Sequence, residues 1–82
     1  MQLTVGTEAT PLPVGLGQRC LVQNLGPDPI YFDFDADVTT STGVRIGADE
    51  GYELMRSLGT GGDGLHLVSS GTADVRFAPL GT

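Results

Sequence analysis

Gln18-Arg19-Cys20-Leu21-Val22-Gln23-Asn24-Leu25 and Ile30-Tyr31-Phe32-Asp33-Phe34 are two short alternating runs, separated by Gly26-Pro27-Asp28-Pro29. Side chains two apart share a face only in an extended strand, so both runs read as β-strands. The separating tetrapeptide is a turn signal, because proline presets one backbone angle and glycine or aspartate closes the bend. A hairpin between the two runs is the expected connection. Ile30, Phe32 and Phe34 would then point into a core, each worth about 1.5–3 kcal/mol on burial. Tyr31, Asp33 and Asp35 would occupy the opposite face.

Outward from this stretch the pattern repeats. Leu3 and Val5 share a face in a first strand, and Val44 and Ile46 do so in a later one. Tyr52 with Leu54, Leu65 with Leu67, and Val75 with Phe77 mark three more, with turns at Ala48-Asp49-Glu50-Gly51 and Ser69-Ser70-Gly71-Thr72. Helical i, i+3, i+4 spacing is not sustained beyond about ten residues anywhere. The reading is all-β: one small domain over residues 1–82, a sandwich or barrel of six or seven short antiparallel strands. Residues 1–17 form an N-terminal strand and arm, and residues 18–80 the sandwich or barrel. Thr10-Pro11-Leu12-Pro13-Val14 is extended but carries two prolines, which restricts it to an edge or an arm. Ala36 to Gly43 reads as a loop with a single helical turn capped by Asp37.

Composition narrows the chemistry. Ten carboxylates face four arginines and no lysine, for a net charge of −6, which disfavours nucleic acid and anionic membranes as partners. One histidine and one cysteine leave no Schiff-base lysine, no dithiol and no zinc site of three or four His or Cys ligands. No secretion signal and no membrane-spanning run is evident, so the expected product is soluble and made in the cytoplasm. With no internal disulfide available, stability has to come from tight β packing, a partner or self-association.

Several groups merit weighing as sites. Asp33-x-Asp35-x-Asp37 has the alternating oxygen ligands of a calcium loop, but Val38 and Val44 stand where that loop needs glycine and a bidentate glutamate. A solvated strand face explains the three aspartates more simply, with a looser divalent site completed by another subunit as the alternative. Gly59-Thr60-Gly61-Gly62-Asp63-Gly64 lacks the Lys-Ser/Thr ending of a phosphate cradle and reads as a hairpin loop. His66 is expected at the surface or an interface, and Cys20 as a small apolar strand residue, with a reactive or intersubunit thiol as the lesser reading. An enzyme would have to draw acid and base from Asp33, Asp35 or Glu53, and nothing places them about a cleft. The expectation is therefore no enzyme, no catalytic residues and no cofactor.

Taken together, Cys20 to Gly26, Pro29-Ile30-Tyr31-Phe32, Asp37 to Val44, Asp49-Glu50-Gly51-Tyr52 and Ser69-Ser70-Gly71-Thr72-Ala73-Asp74-Val75-Arg76-Phe77 form a longer pattern. It resembles that of small virion proteins of tailed bacteriophages, over roughly residues 18 to 78. Phe32-Asp33-Phe34-Asp35 departs from the glycine-rich segment that this pattern has. The resemblance implies a capsid decoration (cement) protein: a β-rich homo-oligomer, often a trimer. Such proteins sit on the outer surface of the virion and reinforce contacts between major capsid protein subunits. A head-fibre or tail-associated module, or a receptor- or glycan-binding module using Tyr31 or Tyr52 as a stacking platform, is the alternative. The partner-binding residues expected on this reading are Thr10, Pro11, Leu12, Pro13 and Val14, as an arm laid across a neighbour, with Arg45, Arg56 and Arg76 pairing with carboxylates.

Overall fold

The computed structural model describes residues 1–12, 19–34, 36–55 and 65–79, with backbone only for 53–55. Eight strands are found among them: β1 (Gln2–Val5), β2 (Thr10–Pro11), β3 (Arg19–Pro27), β4 (Ile30–Asp33), β5 (Val44–Ile46), β6 (Glu50–Met55), β7 (His66–Ser69) and β8 (Ala73–Pro79). They form two four-stranded antiparallel sheets, ordered β1-β8-β3-β6 (sheet A) and β2-β7-β4-β5 (sheet B). The all-β, two-sheet architecture expected from the alternation is thus present. Sequence pattern is translated directly into burial along β3, where Cys20, Val22 and Asn24 are buried and Arg19, Leu21, Gln23 and Leu25 are exposed.

One expectation is corrected at the start. β3 and β4 do not form a hairpin, because they belong to different sheets. Both edges of β3 are occupied, by β6 and β8, and both edges of β4 by β5 and β7. The turn at Gly26–Pro29 therefore carries the chain across the core as an arch. Pro27 has no N–H to offer a hairpin, and Asp28 bonds instead to Thr72 of the neighbouring turn, with its N–H donating to the Thr72 carbonyl at 3.2 Å.

The same crossing occurs between β1 and β2, β5 and β6, and β7 and β8. Because neighbouring strands are antiparallel, these four arches lie at the same end of the sandwich. They are bonded in a row. The Ser69 N–H donates to the Gly6 carbonyl at 2.8 Å, and the Ser69 hydroxyl donates to the Pro29 carbonyl at 3.0 Å. The Thr72 N–H donates to the Asp28 carboxylate at 3.0 Å. Asn24 closes the row: its Nδ2 donates to the carbonyls of Asp28 at 2.9 Å and Ile46 at 3.1 Å, while its Oδ1 accepts from the Gly26 N–H at 2.8 Å. Its backbone carbonyl accepts from the N–H of Asp49, a residue at φ 64° in the left-handed region, which aspartate tolerates better than most side chains. Gly26, at φ 86°, adopts the left-handed region as only glycine does freely, and a Cβ there would also stand 3.1 Å from that of Ala48 in the next arch.

Between the sheets lie Val5, Leu12, Cys20, Val22, Ile30, Phe32, Ile46, Leu65, Leu67, Ala73, Val75 and Phe77. One strand-end expectation fails here. Phe34 is exposed, because β4 stops at Asp33, whose carboxylate accepts the Phe34 N–H at 2.7 Å and bends the chain away. Val44 keeps the parity of Ile46 yet is 56% exposed, since it lies on the edge strand at the open flank of the core. Thr10–Pro11 takes the edge position rather than that of an arm: it pairs with β7, and the Leu12 N–H donates to the Leu65 carbonyl at 2.9 Å as its side chain enters the core.

Replacing Asn24 with leucine keeps the volume and removes three bonds, leaving the carbonyls of Asp28 and Ile46 and the N–H of Gly26 to find other partners. The expected loss is about 2–4 kcal/mol, read from the shift in denaturant midpoint at constant slope.

Candidate functional site

The outer faces of the two sheets differ, and the difference defines where a partner can reach. On sheet B the outward residues of β4 and β7 are Tyr31 with Val68 and Asp33 with His66, paired across the strands. Residues 36–43 fold back over this face. Thr39 organises the segment: its carbonyl accepts from Gly43 at 2.9 Å, and its hydroxyl accepts from the N–H groups of Ser41 and Thr42 at 3.2 Å. The single turn was expected at Asp37; the residue that closes it is Thr39. Val38 is thereby buried against the sheet, beside Tyr31 and Gly43, where a Cβ on Gly43 would come within 2.8 Å of both. Val38 and Val68 share a shallow depression of about 360 Å³ with the hydroxyl-bearing Thr7, Thr39, Thr40 and Ser70.

Sheet A carries no such cover among the described residues. Its outward positions are Gln2 and Thr4 of β1, Asp74, Arg76 and Ala78 of β8, and Arg19, Leu21, Gln23 and Leu25 of β3. Leu21 is 47% exposed and Leu25 39%. Met1, Gln2, Leu21, Gln23, Arg76 and Ala78 surround a depression of about 500 Å³. Beside it, the Arg76 guanidinium makes two bonds to the Asp74 carboxylate, at 3.2 and 3.1 Å, and Gln2 Nε2 donates to the same carboxylate at 3.0 Å. The Arg76 bonds first, and the Gln2 bond second, hold the Asp74 carboxyl below its ordinary pKa; the pairing raises Arg76 in return.

The residues singled out from sequence are dispersed over this framework. Asp33 lies half-buried in β4 and Asp37 is exposed in the covering loop; Asp35 lies outside the described residues. The extended, solvated strand face expected for all three therefore ends at Asp33. Among the described residues, no group of three or more His, Cys, Asp or Glu side chains is placed to hold a metal ion. His66, expected at the surface or an interface, is buried to 9% exposure within this chain, flanked in register by Pro11 of β2 and Asp33 of β4. Cys20 is fully buried as a small core residue. Tyr31 is half-buried beside Gly43, and Tyr52, in the other sheet, leans at 53° against Phe32 with ring centroids 6.5 Å apart.

Of the expected partner-binding set, Thr10 and Pro11 lie on the β2 edge, while Leu12 is committed to the core. Arg45 and Arg76 project from opposite faces of the sandwich. Pro13, Val14, Arg56 and the Gly59–Gly64 segment lie outside the described residues. What the reading of sites missed is the outer face of sheet A. Its signal was present: Leu21 and Leu25 alternate with Cys20, Val22 and Asn24, so β3 carries two leucines on its outward side, between Arg19 and Gln23.

Comparison with known protein families, with curated proteins and with solved structures gives no match.

Two outcomes follow from these faces. Gly43→Ala is expected to lower stability by about 1–3 kcal/mol through overpacking, whereas Gly6→Ala, with open space around it, leaves the thermal midpoint unchanged or slightly raised. The Asp74 carboxyl, followed by NMR, should titrate below its ordinary value of 3.8 and move back toward it in Arg76→Gln. Because the folded-state value is depressed, this contribution to stability is present above the unfolded-state value and is lost as pH falls through the folded one.

Proposed function

We propose that this chain is a structural virion protein that attaches to the outer surface of a phage capsid and reinforces contacts between major capsid protein subunits. The support is the coincidence of the phage-like motif residues with the arch row. Asn24, Pro29, Ser69 and Thr72 take part in bonds that join one arch to the next, and Gly26 and Gly71 in bonds within an arch. The segment from Asp37 to Val44 is the one that covers sheet B, with Val38 and Gly43 at its contact. The motif thus consists of residues that build a stiff two-layer slab, and a slab with exposed faces suits attachment better than turnover.

A cement protein has to hold its shape under load and present the same surface in many copies. Cross-linking all four arches at one end serves the first requirement, since no arch can open without breaking bonds to its neighbour. Many weak contacts, multiplied over a lattice, supply retention that a single contact does not.

Mixing the purified protein with undecorated phage capsid shells, then sedimenting the shells, tests this reading. Saturable co-sedimentation in a fixed ratio to the major capsid protein, with a rise in the shells' thermal midpoint, is the expected result. Protein that stays in the supernatant with shells of several phages overturns it.

A further inference from the structure

Residues 34–43 join β4 to β5, which pair directly with each other, so a turn of about two residues would have closed the hairpin. Instead the chain folds back over the outer face of sheet B. Among residues 36–43 Val38 is the one buried side chain, at 5% exposure; Gly43 is half-buried and the others are exposed. Thr39 and its neighbours bond to one another within the segment and in solvent. The Thr39 N–H donates to the Thr42 hydroxyl at 3.0 Å, and the N–H groups of Thr42 and Gly43 donate to the Thr39 carbonyl at 3.2 and 2.9 Å. Asp37 interacts from an exposed position, where an ion pair or hydrogen bond contributes little.

Burial under this segment is separate from the core. Val38 and Val68 are buried to 5% and 4% exposure, yet neither belongs to the cluster between the sheets. Val68 pairs in register with Tyr31 on the outward side, whereas Phe32 and Leu67, next to them in sequence, lie in that cluster. Sheet B thus stands between two apolar groups, a large one inside and a small one under the loop. Beside Val38, the depression it shares with Thr7, Thr40, Val68 and Ser70 holds about 360 Å³, so the small group ends in open space rather than in another packed layer. The free energy of a local opening is set by the contacts it breaks. Lifting residues 36–43 breaks those of one valine with its surroundings and leaves the contacts between the sheets in place.

From these observations we infer that residues 36–43 are a latched strap, which opens as a unit while the two-sheet core stays folded. Val38 is the latch, and Val68 with Tyr31 is the surface that opening uncovers. Gly43 lets the strap lie close, since a Cβ there would come within 2.8 Å of both Tyr31 and Val38. The outer face of sheet B therefore has a covered state and an uncovered one, exchanged without unfolding the sandwich. A virion role is not needed for this device, so the test uses the free protein without shells.

The chain carries its own reference probe, because its one cysteine, Cys20, is fully buried between the sheets. Val68→Cys places a second thiol under the strap, and labelling both with an excess of a thiol reagent, site by site by mass spectrometry, compares the two openings in one molecule. The introduced thiol should react at least roughly a hundredfold faster than Cys20, and at least roughly tenfold slower than in the unfolded chain. Low denaturant should speed Cys20 and leave the introduced thiol nearly unchanged, since a small opening exposes little surface. Val38→Ala in the same background should speed the introduced thiol by roughly tenfold and leave Cys20 as it was. Val38→Cys, with the thiol on the latch itself, gives the same comparison of rates where Val68→Cys does not fold. Equal rates for the two thiols overturn the inference, because the strap then leaves only when the whole sandwich unfolds. So does an introduced thiol that reacts as fast as in the unfolded chain, or a Val38→Ala change that moves both rates or neither.

Discussion

A single buried amide governs the organisation of the sandwich. Asn24 faces inward from β3 at the end where the chain crosses between sheets, and it is fully removed from solvent. Its amide nitrogen satisfies two carbonyls in different segments, Asp28 after the arch and Ile46 at the end of β5, and its oxygen satisfies Gly26 within the arch. Few side chains can take this place. Aspartate has the length but no donors, glutamine has the groups on a longer stem, and leucine has the volume but leaves three backbone groups to lose their partners. A buried polar group of this kind is tolerable only when fully paired, and once paired it specifies one arrangement of the three segments it joins.

The remainder of the arch row follows from that constraint. With β4 and β5 tied to the end of β3, the neighbouring crossing from β7 to β8 packs alongside, and Ser69 repeats Asn24's part from the other sheet. It is buried, donates to Pro29 and accepts from Gly71 at 3.1 Å. The absence of a side chain on Gly71 is required here, because a Cβ would collide with the Asp28 carboxylate that receives Thr72. One buried polar residue per sheet thus closes the core at the end where both sheets turn. Stability in a chain without a disulfide rests on this closure together with the apolar core.

How far the fold was legible in the sequence can be argued residue by residue. A period of two tells which side of a strand a residue occupies, so β3, β8 and the inward faces of Ile30 and Phe32 were readable. It does not tell which sheet the strand joins. A turn such as Gly26–Pro29 serves equally to reverse the chain in the plane of a sheet or to cross the core, and only the partners of β3 and β4, distant in sequence, decide between them. The outward side of β7 shows the same limit. His66 and Val68 have the parity of solvated residues, yet both are buried, Val68 sharing a depression with Val38 from a loop some thirty residues earlier. Asn24 itself was visible only as a strand residue, since its three partners are backbone groups, which composition does not reveal.

The asymmetry between the two outer faces connects this framework to its use. Burial of Val38 makes sheet B self-contained, at the cost of a long connection and a glycine at position 43 that cannot carry a side chain without displacing its neighbours. Sheet A has Leu21 and Leu25 on its outward side, beside the bonded pair of Asp74 and Arg76. Neither feature belongs to the core, whose described residues lie on the inward sides of both sheets. An outward strand position is the cheapest place on a sheet to put lysine, glutamate or threonine. Leu21 and Leu25 stand at two such positions, outside the core that Cys20 and Val22 of the same strand help to form.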